Sequence, residues 1–130
     1  MIAAGFVQKQ LDRACKPFGI TRGQYNVLRI LRGAGAEGLP RFEITERMIE
    51  KAPDVTRLID RLEKQGLVLR ERSPGDKRQS ITRISEKGLD LLTRIQPKID
   101  ETRSFLAQGL SLPEFIALSS ICEKIYNKRN

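Results

Sequence analysis

Apolar residues recur at three- and four-residue steps over most of the chain, which is the spacing of helices that bury one face. Residues 2–17 show this pattern and end in a Pro-x-Gly sequence. A second helix is predicted from Thr21, because Thr21 and Gln24 have the spacing of a capping box. Apolar side chains crowd residues 25–31 and give this helix a wide apolar face, which indicates a central, buried position.

Two helices and a β-hairpin are predicted for the middle of the chain. A short amphipathic helix covers residues 41–49, and a more regular one covers residues 53–65. Gly66 follows as the expected left-handed residue that ends a helix. Residues 67–72 and 81–84 are rich in β-forming side chains and flank a Pro-Gly turn, which predicts a hairpin.

Two further amphipathic helices are predicted near the end of the chain. One begins at Ser85 and reaches about Leu106, with an apolar stripe that starts at Leu89. Pro97 lies inside it, where a kink is expected. The other helix begins at Ser111 with a second capping-box spacing.

The order of these elements predicts a mainly α protein with a small β-hairpin. We interpret residues 1–130 as one domain, in which about 21–88 form a winged helix-turn-helix. The helices at about 1–18 and 89–130 then form a separate helical lobe. No internal repeat or interdomain linker interrupts this arrangement.

The charge favours a polyanionic partner. The chain has 24 Lys and Arg against 16 Asp and Glu, a net charge of +8 that is concentrated in the first two thirds. This balance suits a nucleic acid, and it also fits an anionic membrane or an acidic protein. No stretch approaches the roughly 20 apolar residues of a membrane span. The first residues do not resemble a secretory signal, so a cytoplasmic protein without a membrane partner is expected.

The candidate chemistry does not suggest catalysis. The chain has no histidine, which removes the commonest general base and most zinc sites. We find no nucleophile–base pair, phosphate-binding glycine loop or metal cluster, so we expect no enzyme, no cofactor and no metal. Cys15 and Cys122 are far apart, and we interpret both as reduced, small apolar residues on buried helix faces.

A cationic face lies opposite the apolar stripe of the helix at 53–65 and suits a DNA major groove. Pro53 fits as its first residue, where the missing N–H costs nothing. Arg57 can donate two hydrogen bonds to one guanine, and Thr56 can contact either a phosphate or a thymine methyl group. The predicted DNA-contacting residues are Pro53, Thr56, Arg57, Arg61, Arg72, Lys77 and Arg78.

The hairpin that follows this helix is also cationic and is predicted to lie beside the DNA backbone or in the minor groove. Its cations are Arg70, Arg72, Lys77, Arg78 and Arg83. A charged helix face alone is often only solvated, with surface pairs such as Asp60–Lys64. A hairpin of self-repelling cations is less easily explained in that way.

Two classes of function therefore stay open. One is a sequence-specific regulator of transcription, and the other is a winged-helix module that binds proteins and does not bind DNA. A steep salt dependence of DNA binding would favour the first.

The chain resembles the MarR family of winged-helix transcriptional regulators. The helix at 53–65 ends in Leu-Glu-Lys-Gln and is followed by Gly-Leu-Val, Asp76-Lys77-Arg78 matches an Asp-x-Arg wing motif, and residues 84–88 match the start of the next helix. Upstream, residues 20–25 match the entry to the second helix. The segment 48–53 departs from the family, because it contains neither the usual Gly nor a Ser or Thr cap.

The resemblance implies a homodimer that binds a palindromic operator on double-stranded DNA. Asp76 would hold Arg78 in place so that Arg78 enters the minor groove. Many members release DNA when they bind a small aromatic or anionic effector, which implies a repressor of this kind. The terminal helices carry apolar stripes that a second copy can cover. The predicted dimerisation residues are Phe6, Phe115, Leu118, Cys122 and Ile125.

Overall fold

A computed structural model describes residues 2–48, 54–73, 75–108 and 121. Its helices and strands are α1 Ile2–Cys15, α2 Arg22–Ala34, β1 Leu39–Pro40, α3 Arg41–Arg47, α4 Val55–Lys64, β2 Val68–Ser73, β3 Asp76–Ile84 and α5 Glu86–Gln108. No helix in these ranges is long and apolar enough to cross a membrane.

The central helix is α2, as predicted. The Thr21 hydroxyl accepts a hydrogen bond from the Gln24 backbone N–H at 3.2 Å, and Gln24 Oε1 accepts from the Thr21 N–H at 2.8 Å, so the capping box is confirmed. The apolar side chains of its wide face are all buried: Tyr25, Val27, Leu28, Ile30 and Leu31. The helices α1, α3, α4 and α5 all contact α2, which places the core around it.

Two helices end earlier than predicted. The helix α1 ends at Cys15, and residues 16–18 form one 3-10 turn that contains Pro17, whose ring cannot donate an N–H. The helix α3 ends at Arg47, and the buried Met48 is already extended. Both differences shift a boundary by two residues and leave the order of elements unchanged.

The helix α4 begins at Val55 rather than at Pro53, which lies outside the described residues. Asp54 is its N-cap, and its Oδ1 accepts a hydrogen bond from the Arg57 backbone N–H at 3.0 Å. The cap that segment 48–53 lacks is therefore supplied by an aspartate one residue later.

The other end of α4 closes as predicted. Gly66 has a φ of +76°, and its N–H donates to the Glu63 carbonyl at 3.0 Å. The N–H of Leu67 donates to the Leu62 carbonyl at 2.9 Å. This pair of bonds is a Schellman motif, for which the left-handed conformation of Gly66 is required.

The predicted hairpin is confirmed and is longer than expected. The strands β2 and β3 pair antiparallel from Val68 opposite Ile84 to Ser73 opposite Asp76, with an irregularity between Arg72 and Ser73. Because the ladder reaches the turn, its outer half is available as a projecting wing.

A third strand, β1, was not predicted. Leu39 pairs with Thr82 on the free side of β3, which gives the strand order β1-β3-β2. Gly38 precedes it with a φ of +69°, and a Cβ there would overlap the Thr82 carbonyl oxygen. A two-residue strand has no sequence periodicity, so the sequence pattern does not indicate it.

The helix α5 begins after Ser85, whose hydroxyl accepts the Gly88 N–H at 3.0 Å, and it contains Pro97. The predicted stripe is wrong at Leu89, which is exposed. The buried sector is centred near Gly88, and Leu89 lies about 100° further around the helix. The apolar residues of this sector are Leu91, Leu92, Ile95 and Ile99. The helix predicted from Ser111 lies outside the described residues apart from Ile121, which is helical and exposed.

Candidate nucleic-acid interface

The helix α4 turns its apolar side toward α2 and leaves a cationic side exposed. Val55, Ile59 and Leu62 of the apolar stripe are buried, and Leu58 of the same stripe is partly buried against the core. Arg57 and Arg61, one helical turn apart, are both exposed. No ion pair or hydrogen bond to either guanidinium group is present among the described residues. These two groups form a strip of unneutralised positive charge along the helix.

Thr56 is held by a residue of the preceding helix. Arg41, the first residue of α3, donates from Nη1 to Thr56 Oγ1 at 2.8 Å. No carboxylate among the described residues forms an ion pair with Arg41, and Glu43 of the same helix pairs with Arg47 at 3.6 Å. A single arginine at the start of a short helix has no recognisable pattern, which is why Arg41 is absent from the predicted interface.

Two arginines of the hairpin are neutralised within the fold. Arg70 on β2 forms an ion pair with Asp60 of α4, and its Nε lies 3.7 Å from Glu63 Oε1. Arg83 on β3 forms an ion pair with Glu71 on β2. The prediction that these two arginines add to the positive charge of the wing is therefore wrong. Asp60 therefore pairs with Arg70 on β2 and not with Lys64 on its own helix.

The outer part of the hairpin contains three cations, of which only Arg72 has a described side chain. Arg72 is exposed, lies opposite Ser80, and has no partner among the described side chains. Lys77 and Arg78 belong to β3 directly after the turn. Their side chains, and that of Asp76, lie outside the described ones, so the contact between Asp76 and Arg78 stays a prediction.

The C-terminal end of α4 is fastened by Gln65. Gln24 Nε2 donates to Gln65 Oε1 at 2.9 Å, and Gln65 Nε2 donates to the Gly19 carbonyl at 2.9 Å. The Lys87 ammonium group donates to the Gln65 carbonyl at 2.9 Å. One residue thus joins α4 to the α1–α2 turn, to α2 and to α5. The side-chain bonds span 41 and 46 residues of sequence, a separation at which local patterns carry no signal.

Cys15 is buried, and burial raises the pKa of its thiol to about 11, with a smaller contribution from Asp12. The thiol is therefore protonated at neutral pH and is a poor nucleophile. This agrees with the interpretation of Cys15 as a small apolar residue.

The predicted dimerisation residues are not settled by the described structure. Phe6 lies in α1, but its side chain is outside the described ones. Phe115, Leu118, Cys122 and Ile125 lie outside the described residues.

Comparison with known families matches residues 20–80 to the MarR family model. The chain is 32% identical to a MarR transcription factor from Planctomyces limnophilus, whose crystal structure matches with a TM-score of 0.72 over 90% of this chain and 84% of that one. It is 28% identical over 106 residues to the HTH-type transcriptional regulator MhqR of Bacillus subtilis, which covers 78% of this chain and 72% of MhqR.

The fold also matches that of a MarR variant from E. coli complexed with operator DNA. The TM-score is 0.83 at 22% identity, over 95% of this chain and 88% of that one. This likeness confirms the predicted winged-helix fold, a mainly helical chain with a small antiparallel sheet. The chain spans 58% to 72% of the length of three sequence relatives.

Proposed function

Because the chain belongs to the MarR family of transcriptional regulators, we propose that it binds double-stranded DNA sequence-specifically and reads its operator with α4. Members of this family regulate transcription, so the chain is not an enzyme. The observation that carries the proposal is the exposed pair Arg57 and Arg61, whose positive charge no described carboxylate neutralises. A helix of this kind fits the major groove, where an arginine can donate two hydrogen bonds to a guanine.

The decisive experiment selects bound fragments from a random DNA pool and titrates the winning sequence at several salt concentrations. We expect one enriched sequence and an affinity that falls steeply as salt rises, because cations displaced from phosphates are released on binding. Absence of any enriched fragment, together with a flat salt dependence, would favour a protein-interaction module instead.

In this proposal the wing lies beside the same stretch of DNA. Arg72, Lys77 and Arg78 contact the backbone or the minor groove, and Asp76 orients Arg78. The exposed position of Arg72 and the place of Lys77 and Arg78 next to the turn support this role.

The proposal includes a homodimer on a palindromic site. A two-fold axis would place two copies of α4 about 34 Å apart, one turn of DNA. The apolar residues Phe6, Phe115, Leu118, Cys122 and Ile125 would form the interface. Leu118→Asp would then bury an unpaired charge and abolish both the dimer and operator binding. Ser120→Asp, about 200° away on the predicted helix, is the matched control. A wild type that sediments as a monomer and still binds its operator fully would contradict the dimer.

We propose further that the protein is a repressor relieved by a small aromatic or anionic effector. This part is supported by the family alone, in which such release is widespread. It can be tested by adding a panel of small aromatic and anionic compounds to the protein–operator complex. If none releases the DNA and deletion of the gene lowers transcription from the operator, the protein is an activator without an effector of this class.

A further inference from the structure

The hydroxyl group of Thr56 has one hydrogen-bonding role already assigned. It accepts a hydrogen bond from Arg41 Nη1 at 2.8 Å, in a contact that crosses from α3 to α4. A threonine hydroxyl can accept and donate at the same time, so its own hydrogen stays available. Because the bond from Arg41 occupies one lone pair, it restricts the directions in which that hydrogen can point.

Arg41 also has capacity beyond this bond. A guanidinium group has five N–H donors, of which the bond to Thr56 uses one. Arg41 is exposed, and no carboxylate among the described residues pairs with it. The two side chains therefore present several donors and one full positive charge, held together at the first turn of α4. Donors of this kind suit a group with several anionic oxygens, of which a phosphate is the example on DNA.

We infer that Arg41 and Thr56 act together as a clamp on one backbone phosphate of the operator, next to the bases that Arg57 reads. This inference rests on the proposed function. It adds Arg41 to the interface, and it decides between the two contacts that the sequence left open for Thr56. The hydroxyl group binds phosphate, and the methyl group does not read thymine.

Two substitutions of Thr56 separate these roles. Thr56→Val keeps the methyl group and removes the hydroxyl, whereas Thr56→Ser keeps the hydroxyl and removes the methyl. We expect the valine variant to bind about tenfold more weakly, by a similar factor on the selected operator and on random DNA. The serine variant is expected to bind like the wild type. If the serine variant instead loses affinity only for sites with a thymine at one position, the inference is overturned.

Substitutions of Arg41 measure how much its positive charge contributes to DNA binding. Arg41→Ala should weaken binding about tenfold or more on every sequence and lower the salt slope by about one for each protomer bound. Arg103→Ala is the matched control, since Arg103 is exposed, has no ion pair in the described ranges, and lies about 25 Å along α5 from its start. If Arg41→Ala lowers the unfolding temperature, Arg41→Gln removes the charge at the same position and shortens the side chain less.

A double-mutant cycle distinguishes a clamp from two separate contacts. The combined loss for Arg41→Ala with Thr56→Val should be clearly smaller than the product of the two single losses, because each side chain depends on the other. The clamp would be overturned if the two single losses of affinity multiply, or if Arg41→Ala leaves the affinity unchanged. The proposed function would still stand in either case, provided that the wild type selects an operator. A wild type without DNA binding would overturn the proposed function, and the clamp with it.

Discussion

The outer face of α4 and the β2–β3 ladder are both rich in arginine, but they use it differently. On α4, Arg57 and Arg61 are exposed without a described partner. On the ladder, Arg70 is paired with carboxylates of α4, and Arg83 with Glu71. The number of basic residues in a segment therefore does not measure the positive charge that it offers to DNA. Carboxylates that are distant in sequence and close in space decide how much remains.

The two regions also differ in how they are fixed. The ladder is fixed by backbone pairing and by close approach at Gly38, where a side chain would overlap β3. The helix α4 is fixed by its buried apolar side, by the bond from Arg41 to Thr56 near one end and by Gln65 at the other. Substitutions where the strands approach closely, as at Gly38, should consequently affect folding, and substitutions of exposed side chains on α4 should affect binding.

The most damaging substitution in this comparison is Gly38→Ala. The positive φ strains an alanine, and the added methyl group overlaps the Thr82 carbonyl, so we expect a loss of about 3 kcal/mol of stability. Gly33→Ala is the matched control. It has free space within α2 and should gain up to about 1 kcal/mol. Thermal or urea unfolding measures both, and equal stabilities of the two variants would show that β1 does not pack closely on β3.

On α4, Arg57→Ala should leave the stability of the fold unchanged and reduce the discrimination between DNA sequences. A bidentate contact to guanine contributes about 1–3 kcal/mol, so binding to the selected operator should fall about tenfold or more. Binding to random DNA of the same length should fall much less. One base in each half-site should become tolerant to change. An equal loss on all sequences would mean that Arg57 contacts phosphate.

Removing Arg78 should have a different signature. Arg78→Ala should weaken binding about tenfold on every sequence and lower the salt slope by about one. Arg83→Ala removes the same charge from the same strand, but Arg83 is already paired with Glu71, so a smaller loss is expected. Equal losses of affinity in the two variants would show that DNA binding depends on the total charge of the wing and not on where each arginine lies.

The smallest expected effect is a gain in DNA affinity. Asp60→Asn removes one carboxylate from Arg70 and frees positive charge near α4, so DNA affinity should rise a few-fold and the salt slope should steepen. Stability should change by less than about 1 kcal/mol, as for other exposed ion pairs. Asp90→Asn breaks a similar pair with Arg94 on α5 and should leave DNA binding unchanged. A loss of affinity in Asp60→Asn would show that the Asp60–Arg70 pair positions the helix.

Most of the fold could be predicted because it depends on local patterns. The capping box at Thr21, the left-handed Gly66 and the buried face of α2 each follow from residues within one or two turns of one another. The strand β1 could not be predicted, because two residues carry no periodicity and its pairing with β3 depends on the close approach at Gly38.

The candidate site was predicted less completely than the fold. Arg57 and Arg61 were identified because α4 has a regular apolar face, and the exposed face is its complement. The pairing of Arg70 and the contact from Arg41 to Thr56 were missed, since both join separate elements. The cap that Asp54 forms on its own helix was also missed, since the predicted helix began at Pro53.

Gln65 holds the C-terminal end of α4, so a rotation of the helix about that end would move the end near Asp54 the most. Thr56 lies nine residues from Gln65, about 13 Å along the helix, so a rotation of about 10° at that end would move it by about 2 Å. Hydrogen bonds to DNA tolerate only a few tenths of an ångström. Because Gln65 is bonded to the α1–α2 turn and to Lys87 of α5, a reorientation of those elements that rotated α4 about Gln65 would displace Thr56 more than Gln65 itself.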